Sequence, residues 1–188
     1  SFGAPAGERG PIILDMAMSK LSDGKIQIAR MKGEELPPES ILDNAGKPST
    51  VPQDYFDGGT LLPFGGHKGY GLAVMVEILA ALLSGSSLLK EARAWNREPN
   101  DSKGVGHFFL ALDFSQIVTQ EIYNQRIEAL IDELKSASLQ PGVEQIYYPG
   151  ELESIEEKKS KIEGVGLLPE TLSSLQRACD KVDLIFDL

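Results

Sequence analysis

The chain has 188 residues and carries 28 acidic against 18 basic side chains, a net charge of −10. With 41% hydrophobic and 24% charged residues it has the balance of a soluble globular protein, long enough for one buried domain of about 100–200 residues. So acidic a surface repels phosphate backbones and excludes nucleic-acid binding as a function, and the lone Cys179 excludes an internal disulfide.

That single cysteine fits a reducing cytoplasm. Ser1-Phe2-Gly3-Ala4-Pro5 has neither the basic nor the apolar region of a signal peptide. The longest apolar run, Leu72 to Leu83, is shorter than the roughly 20 residues needed to span a bilayer. A cytoplasmic protein is expected, with no membrane or nucleic-acid partner.

In chain order, Pro11 to Ala17 is a short apolar run ending in a polar turn that reads as a buried strand, with Asp15 at its end. Asp23-Gly24 reads as a turn, and Lys25 to Arg30 alternates polar and apolar as either a half-exposed strand or a helix edge would. From Gly33 to Pro63 there is no sustained periodicity, and Pro, Gly, Asp, Ser and Thr are dense. A loop of that length is uncommon and often functional, with Asn44-Ala45-Gly46-Lys47 as one of its turns.

Gly65-Gly66-His67-Lys68-Gly69-Tyr70-Gly71 then runs into an apolar stretch closed by Ser84-Gly85. A helix apolar on nearly every face is predicted to be buried on nearly every face, with Gly85 as a left-handed cap. Ser86 to Lys103 reads as a polar surface excursion, and Gly106 to Asp113 as a strand. Tyr123, Ile127, Leu130, Ile131 and Leu134 recur at helical spacing, which predicts an amphipathic helix packed on the sheet. Gln145 to Tyr148 reads as a further strand, stopped by Pro149-Gly150. Glu151 to Glu163 reads as a solvated helix with a Glu157–Lys161 pair, ended by Gly164. Leu172, Leu175, Cys179 and Val182 stripe a last helix starting near Pro169, with Cys179 as a small core residue.

The glycine segment carries the clearest chemistry. Glycines let backbone N–H groups approach a ligand, and a helix start presents unpaired donors with partial positive charge, a combination suited to phosphate. Lys68 adds a cation. The spacing matches neither G-x-x-x-x-G-K-[ST] nor G-x-G-x-x-G. On the residues alone, a tight turn whose glycines only permit close packing explains it equally well. His67 lies inside the loop, whereas His107 heads a strand and reads as structural. Two distant histidines and one cysteine form no metal-ligand set. Asp15 is expected to cap backbone amides or to meet a ligand hydroxyl, and Glu77 to meet a cation or a polar cluster.

Four segments in order resemble the malate/L-lactate dehydrogenase-like oxidoreductases: L-D-M-A-M-S (Leu14–Ser19), F-G-G-H-K-G-Y-G-L (Phe64–Leu72), G-H-F-F-L-A-L-D (Gly106–Asp113) and Y-P-G-E (Tyr148–Glu151). The resemblance covers nearly the whole chain. It implies an α/β fold in three layers around a large mixed sheet, distinct from the standard dinucleotide-binding fold. It also implies hydride transfer between NAD or NADP and a small 2-oxo or 2-hydroxy acid, by a homodimer. Carried over by position, Asp15, Met16 and Ala17 would line the dinucleotide, and Gly66, His67, Lys68 and Gly69 would hold its phosphate-bearing part. This sequence departs from the family at Met18, where Thr is usual, and at Glu39-Ser40, where Gly-Trp is usual. The resemblance makes residues 1–188 the carboxy-terminal portion of such an enzyme. The family's amino-terminal Ser-His pair and catalytic His have no counterpart here, so the catalytic residues stay unassigned. A fragment, a proteolytic product, one chain of a split enzyme, or a non-catalytic subunit keeping the fold would all fit.

Overall fold

In the computed structural model, which describes residues 1–92 and 104–187, very short strands alternate with helices. The chain divides into two units, one of residues 1–15 with the segment from Val118 onward, the other Met16–Ile117.

The Met16–Ile117 unit begins with helix α1 (Asp23–Lys32). The Ser22 hydroxyl accepts the Lys25 N–H at 3.4 Å, Asp23 places negative charge at the positive helix end, and Gly33 closes it at φ 68°. Asp23-Gly24 is thus a first helical turn and not the predicted turn dipeptide, because Ser22 caps it. Lys25 to Arg30, open to two readings, is helix: Ile26 and Ala29, three apart, share its buried face.

The 33–63 tract is structured, contrary to the expected loop. It holds β3 (Ile41–Leu42), β4 (Pro48–Ser49), helix α2 (Pro52–Phe56) and β5 (Thr60–Leu61). The strands form an antiparallel sheet in the order β4-β3-β5, with Ile41 opposite both Ser49 and Leu61. Strands of two residues cannot display an alternating pattern, which is why no periodicity shows. The predicted Asn44–Lys47 turn is present: the Asp43 carboxylate accepts the Ala45 and Lys47 N–H groups, and Gly46 has φ 78°. Ile26, Ala29, Leu36, Ile41 and Tyr55 form the core of this unit, with Leu21, Phe56 and Leu61 against it. Full burial of each large side chain contributes about 1.5–3 kcal/mol. The Arg30 guanidinium covers the Phe56 ring at 4.0 Å.

Helix α3 (His67–Glu77) continues into a wider π turn over Ile78–Leu82, and Gly85 follows at φ 67°, as the sequence indicates. Its burial does not follow the prediction. Leu72, Met75, Leu82 and Leu83 are exposed, and only Gly69 and Ala81 are buried along it. The apolar composition fits the helix for burial, but the described residues do not cover it. Gly106 to Asp113 is likewise no strand; its backbone has no ladder partner among the described residues, and Phe109 is 89% exposed. Of the predicted excursion from Ser86 to Lys103, Leu89–Glu91 forms one 3₁₀ turn. Residues 93–103 lie outside the described residues.

In the other unit, β1 (Phe2–Ala4) pairs antiparallel with β2 (Ile12–Leu14), Phe2 opposite Leu14. The predicted buried strand shrinks to Ile12–Leu14, and Ile13 and Leu14 are exposed, because a two-stranded ribbon leaves its faces open. Helix α4 (Gln120–Ser136) spans the predicted stripe, with Thr119 as its cap and the Tyr123 hydroxyl donating to the Pro5 carbonyl at 2.9 Å, but of the stripe only Ile131 is buried and Leu130 and Leu134 are exposed. Gln145 to Tyr148 is not the expected strand; the Lys135 ammonium, rather than a ladder, takes the Ile146 carbonyl. Helix α5 (Glu151–Glu163) carries the predicted Glu157–Lys161 pair at 2.6 Å and ends at Gly164, φ 80°. Helix α6 (Pro169–Asp180) starts where Pro169 predicts. It buries no residue, so Cys179 is half-exposed instead of a core residue.

The large mixed sheet in three layers is not found among the described residues. In its place are one two-stranded and one three-stranded antiparallel sheet, within a mixed α/β chain. Among the described residues no helix is long and apolar enough to cross a membrane.

Candidate functional site

The Met16–Ile117 unit joins two of the predicted segments through its backbone. Ser19 bridges Pro63 in antiparallel fashion, the Lys20 N–H donates to the Leu62 carbonyl at 2.9 Å, and the Phe64 N–H donates to the Met18 carbonyl at 3.2 Å. The residues directly before this pairing are Met16 and Ala17, and those directly after it are Gly65 and Gly66. Met18, a departure from the family pattern, supports the pairing through its carbonyl, which any residue type supplies.

Gly65 and Gly66 both take positive φ, 58° and 60°, a pair of conformations that L side chains resist. Gly66 precedes α3, and among the described residues no side chain caps that helix. The amides of its first turn therefore have no side-chain acceptor, and they carry the positive end of the helix dipole. Gly69 has a different role. It is buried, and a Cβ there would run into the carbonyl oxygen of Phe64. His67 and Lys68, between these glycines, are exposed.

Beside this turn lies a cavity of about 560 Å³, lined by Lys20, Glu39 and the Leu62–Gly66 segment. The Lys20 ammonium donates to the Pro38 carbonyl at 2.7 Å, which holds it at the cavity wall. Sequence reasoning missed Lys20; its only signal was its place immediately after L-D-M-A-M-S. Glu39 sits at φ 58°, a glycine-type conformation at the position where the resembling family has Gly. Open space, the amides at the start of α3 and the Lys20 ammonium suit an anionic group, although the Glu39 carboxylate also lines the cavity; Gly69, by contrast, behaves as the close-packing alternative expects.

Asp15 belongs to the other unit, where its carboxylate accepts the Ser1 hydroxyl at 2.6 Å. It lines a cavity of about 300 Å³ with Arg9, Ile13, Tyr148 and Gly150, rimmed by Glu153 and Glu157 from α5. The Ile13 N–H donates to the Pro149 carbonyl at 3.0 Å, and the Tyr148 hydroxyl donates to the Arg9 carbonyl at 3.3 Å. Gly150, at φ 90°, lies so close to Ile13 that a Cβ would come within 3.0 Å of the Ile13 nitrogen. The hydrogen bond from Lys161, reinforced by its charge, holds the Glu157 carboxyl below its ordinary pKa. Aromatic and apolar walls with carboxylates at the rim suit a group that donates hydroxyl hydrogens. Tyr148 and Gly150 were named for their motif but not as site residues; the Y-P-G-E match was the signal.

The remaining candidates join neither cavity. Among the described residues Glu77 accepts the Leu89 N–H at 2.6 Å, a backbone partner, where a cation or a polar cluster is expected. His107 stacks on Phe109 with ring centroids 6.1 Å apart.

The profile of the malate/L-lactate dehydrogenase family matches residues 1–176. The chain belongs to this family. It is 34% identical over 158 residues to malate dehydrogenase of Pyrococcus horikoshii, covering 80% of this chain and 43% of that protein. The solved structure of the Pyrococcus horikoshii OT3 malate dehydrogenase superposes with a TM-score of 0.81 at 29% identity, over 97% of this chain and 50% of that one. A Delta(1)-pyrroline-2-carboxylate/Delta(1)-piperideine-2-carboxylate reductase of Pseudomonas syringae pv. tomato is 36% identical over 177 residues, 94% of this chain and 49% of that protein. Ureidoglycolate dehydrogenase (NAD(+)) of Escherichia coli K12 is 27% identical over 168 residues, 89% and 47%. The chain of this malate/L-lactate dehydrogenase family member thus spans about half the length of the relatives it matches.

Proposed function

We propose that this chain supplies the nicotinamide-dinucleotide-holding part of an oxidoreductase that interconverts a small 2-oxo acid and its 2-hydroxy acid. The observation that carries the reading is the open Gly65-Gly66 turn, leading into an uncapped helix beside a cavity of about 560 Å³. Family membership supports it, as does the NAD(+) in the name of one relative. When bound, the nicotinamide supplies the hydride that adds to C2 of the oxo acid.

The protein's own work here is positioning. The amides at the start of α3, with Gly66, His67, Lys68 and Gly69, hold the phosphate-bearing part by charge-assisted hydrogen bonds. Met16 and Ala17, which precede the Ser19–Pro63 bridge in the chain, line the dinucleotide by backbone and apolar contact. By the family resemblance Asp15, which belongs to the other unit, would accept hydroxyl hydrogens of a dinucleotide in the cavity it shares with Tyr148 and Gly150. The proton exchanged at the substrate oxygen is assigned to no residue of this chain. The three-layer fold and the homodimer belong to the same proposal and rest on the family resemblance.

Titration of NADH and NADPH against the protein, followed by nicotinamide fluorescence, tests the reading. One of the two binds, and Lys68→Ala weakens it roughly tenfold, the effect of one charge-assisted contact. Unchanged affinity in that variant refutes the phosphate contact, and no binding of either dinucleotide refutes the reading.

A further inference from the structure

The loop that walls the Asp15 cavity is held by a side chain that does not line it. Lys135, near the end of α4, reaches the Glu151 carboxylate at 2.5 Å and donates to the Ile146 carbonyl at 3.3 Å. Its ammonium also lies 5.9 Å from the Tyr147 ring centre and 5.7 Å from that of Tyr148. Glu151 completes the clamp by accepting the Tyr148 N–H at 3.2 Å with its other oxygen. One cation and one carboxylate therefore fix both ends of the 146–151 segment.

Their shelter gives this clamp more weight than a surface pair. The Lys135 and Glu151 side chains are 32% and 17% exposed, whereas those of the Lys161–Glu157 pair are 71% and 63% exposed. Screening by water and salt is correspondingly weaker. The other surface of the clamped turn carries the Pro149 carbonyl, which accepts the Ile13 N–H, and Gly150, seated on Ile13. Strand β2 ends one residue before Asp15. The chain of contacts runs from Lys135 through Glu151 and the Tyr148–Gly150 turn to β2, and so to both walls of the cavity.

We propose that Lys135 is a positioning residue for cofactor binding, setting the spacing between the Tyr148–Gly150 turn and the Asp15 strand. The inference rests on the reading that the Asp15 cavity takes a hydroxyl-bearing part of the dinucleotide.

The test compares the wild-type protein with Lys135→Met and Lys135→Arg. Three quantities are measured: NADH and NADPH affinity by fluorescence, exchange of the Ile13 amide by NMR, and the urea midpoint. In Lys135→Met the bound dinucleotide weakens about tenfold and the Ile13 amide exchanges about tenfold faster, at concentrations of denaturant far below the midpoint. Lys135→Arg, which keeps the cation, restores most of both. A Lys135→Met protein with a lowered midpoint but unchanged dinucleotide affinity overturns the proposal, since the residue is then only structural. Unchanged Ile13 exchange overturns it as well. If the wild type binds neither dinucleotide, the cavity reading fails and the inference falls with it; if the wild type binds and Lys135→Met binds equally well, the inference alone fails.

Discussion

Two glycines two residues apart at the start of α3 should respond to alanine with opposite sign. At Gly69 a Cβ would overlap the Phe64 carbonyl oxygen and stand 2.8 Å from the carbonyl carbon. Both are backbone atoms, tied in place by the Phe64 N–H bond to Met18, so no side chain can swing away to relieve the overlap. The turn must move off the helix, at a cost of about 1–3 kcal/mol and occasionally more, the range for forced overpacking. At Gly71 a Cβ meets nothing within 4 Å, and the residue lies inside the helix. There alanine lowers the backbone entropy of the unfolded chain and adds about 0.5–1 kcal/mol. The two urea midpoints should therefore differ by about 1.5–4 kcal/mol in free energy, the sum of the two effects. Dinucleotide affinity should fall in Gly69→Ala, because the displaced residues are those of the Gly65-Gly66 turn, and stay near wild type in Gly71→Ala. Equal midpoints, or a Gly69→Ala protein as stable as wild type, would refute the close approach of the Phe64 carbonyl to α3.

Other consequences can be measured independently. Ile26 is fully buried in the core of its unit, so Ile26→Ala should lower stability by about 2–5 kcal/mol in urea unfolding, where less than 1 kcal/mol would contradict that burial. The Glu157 carboxyl is held below its ordinary pKa chiefly by the Lys161 hydrogen bond. A depressed folded-state pKa means that its small stabilising effect is full above the unfolded-state pKa and is lost as pH falls through the lowered folded value. In a carbon-detected NMR titration Lys161→Met should move the Glu157 midpoint upward, and an unmoved midpoint would show that the pair is absent in solution.

The sequence was most legible where a local rule sufficed. The Asn44–Lys47 turn, the helical spacing of α4, the Glu157–Lys161 pair and the Pro169 start of α6 each depend on residues within a few positions of one another. The candidate site was legible for the same reason: Gly65, Gly66 and the helix start form one continuous segment. What escaped was long-range. Lys20 reaches its cavity only because Ser19 bridges Pro63, and the Tyr148–Gly150 turn meets Asp15's strand only through the Pro149 carbonyl. No periodicity encodes such pairings. Asp23-Gly24 failed for a subtler reason, since a turn dipeptide preceded by Ser22 is also a capped first turn of helix, and only the face shared by Ile26 and Ala29 separates the two.

Helix α3 and residues 106–113 pose the opposite case, a clear pattern that the fold does not fulfil. Apolar periodicity reports the environment for which a segment is suited, and it is silent on which residues supply that environment. Phe109 at 89% exposed and Leu83 at 68% lie in one unit whose buried core is built from α1, α2 and the β3 region instead. The start of α3, proposed to hold an anion, needs no such cover. Its glycines are fixed by backbone contacts to Phe64 and Met18 within the same unit, and its amides gain from facing water or a ligand. The geometry at the start of α3 is thus set locally, while burial of the helix body is not. A lesion at Gly69 should consequently disturb the Gly65-Gly66 turn directly, whereas exposed positions such as Leu83 can be exchanged for polar residues without moving it.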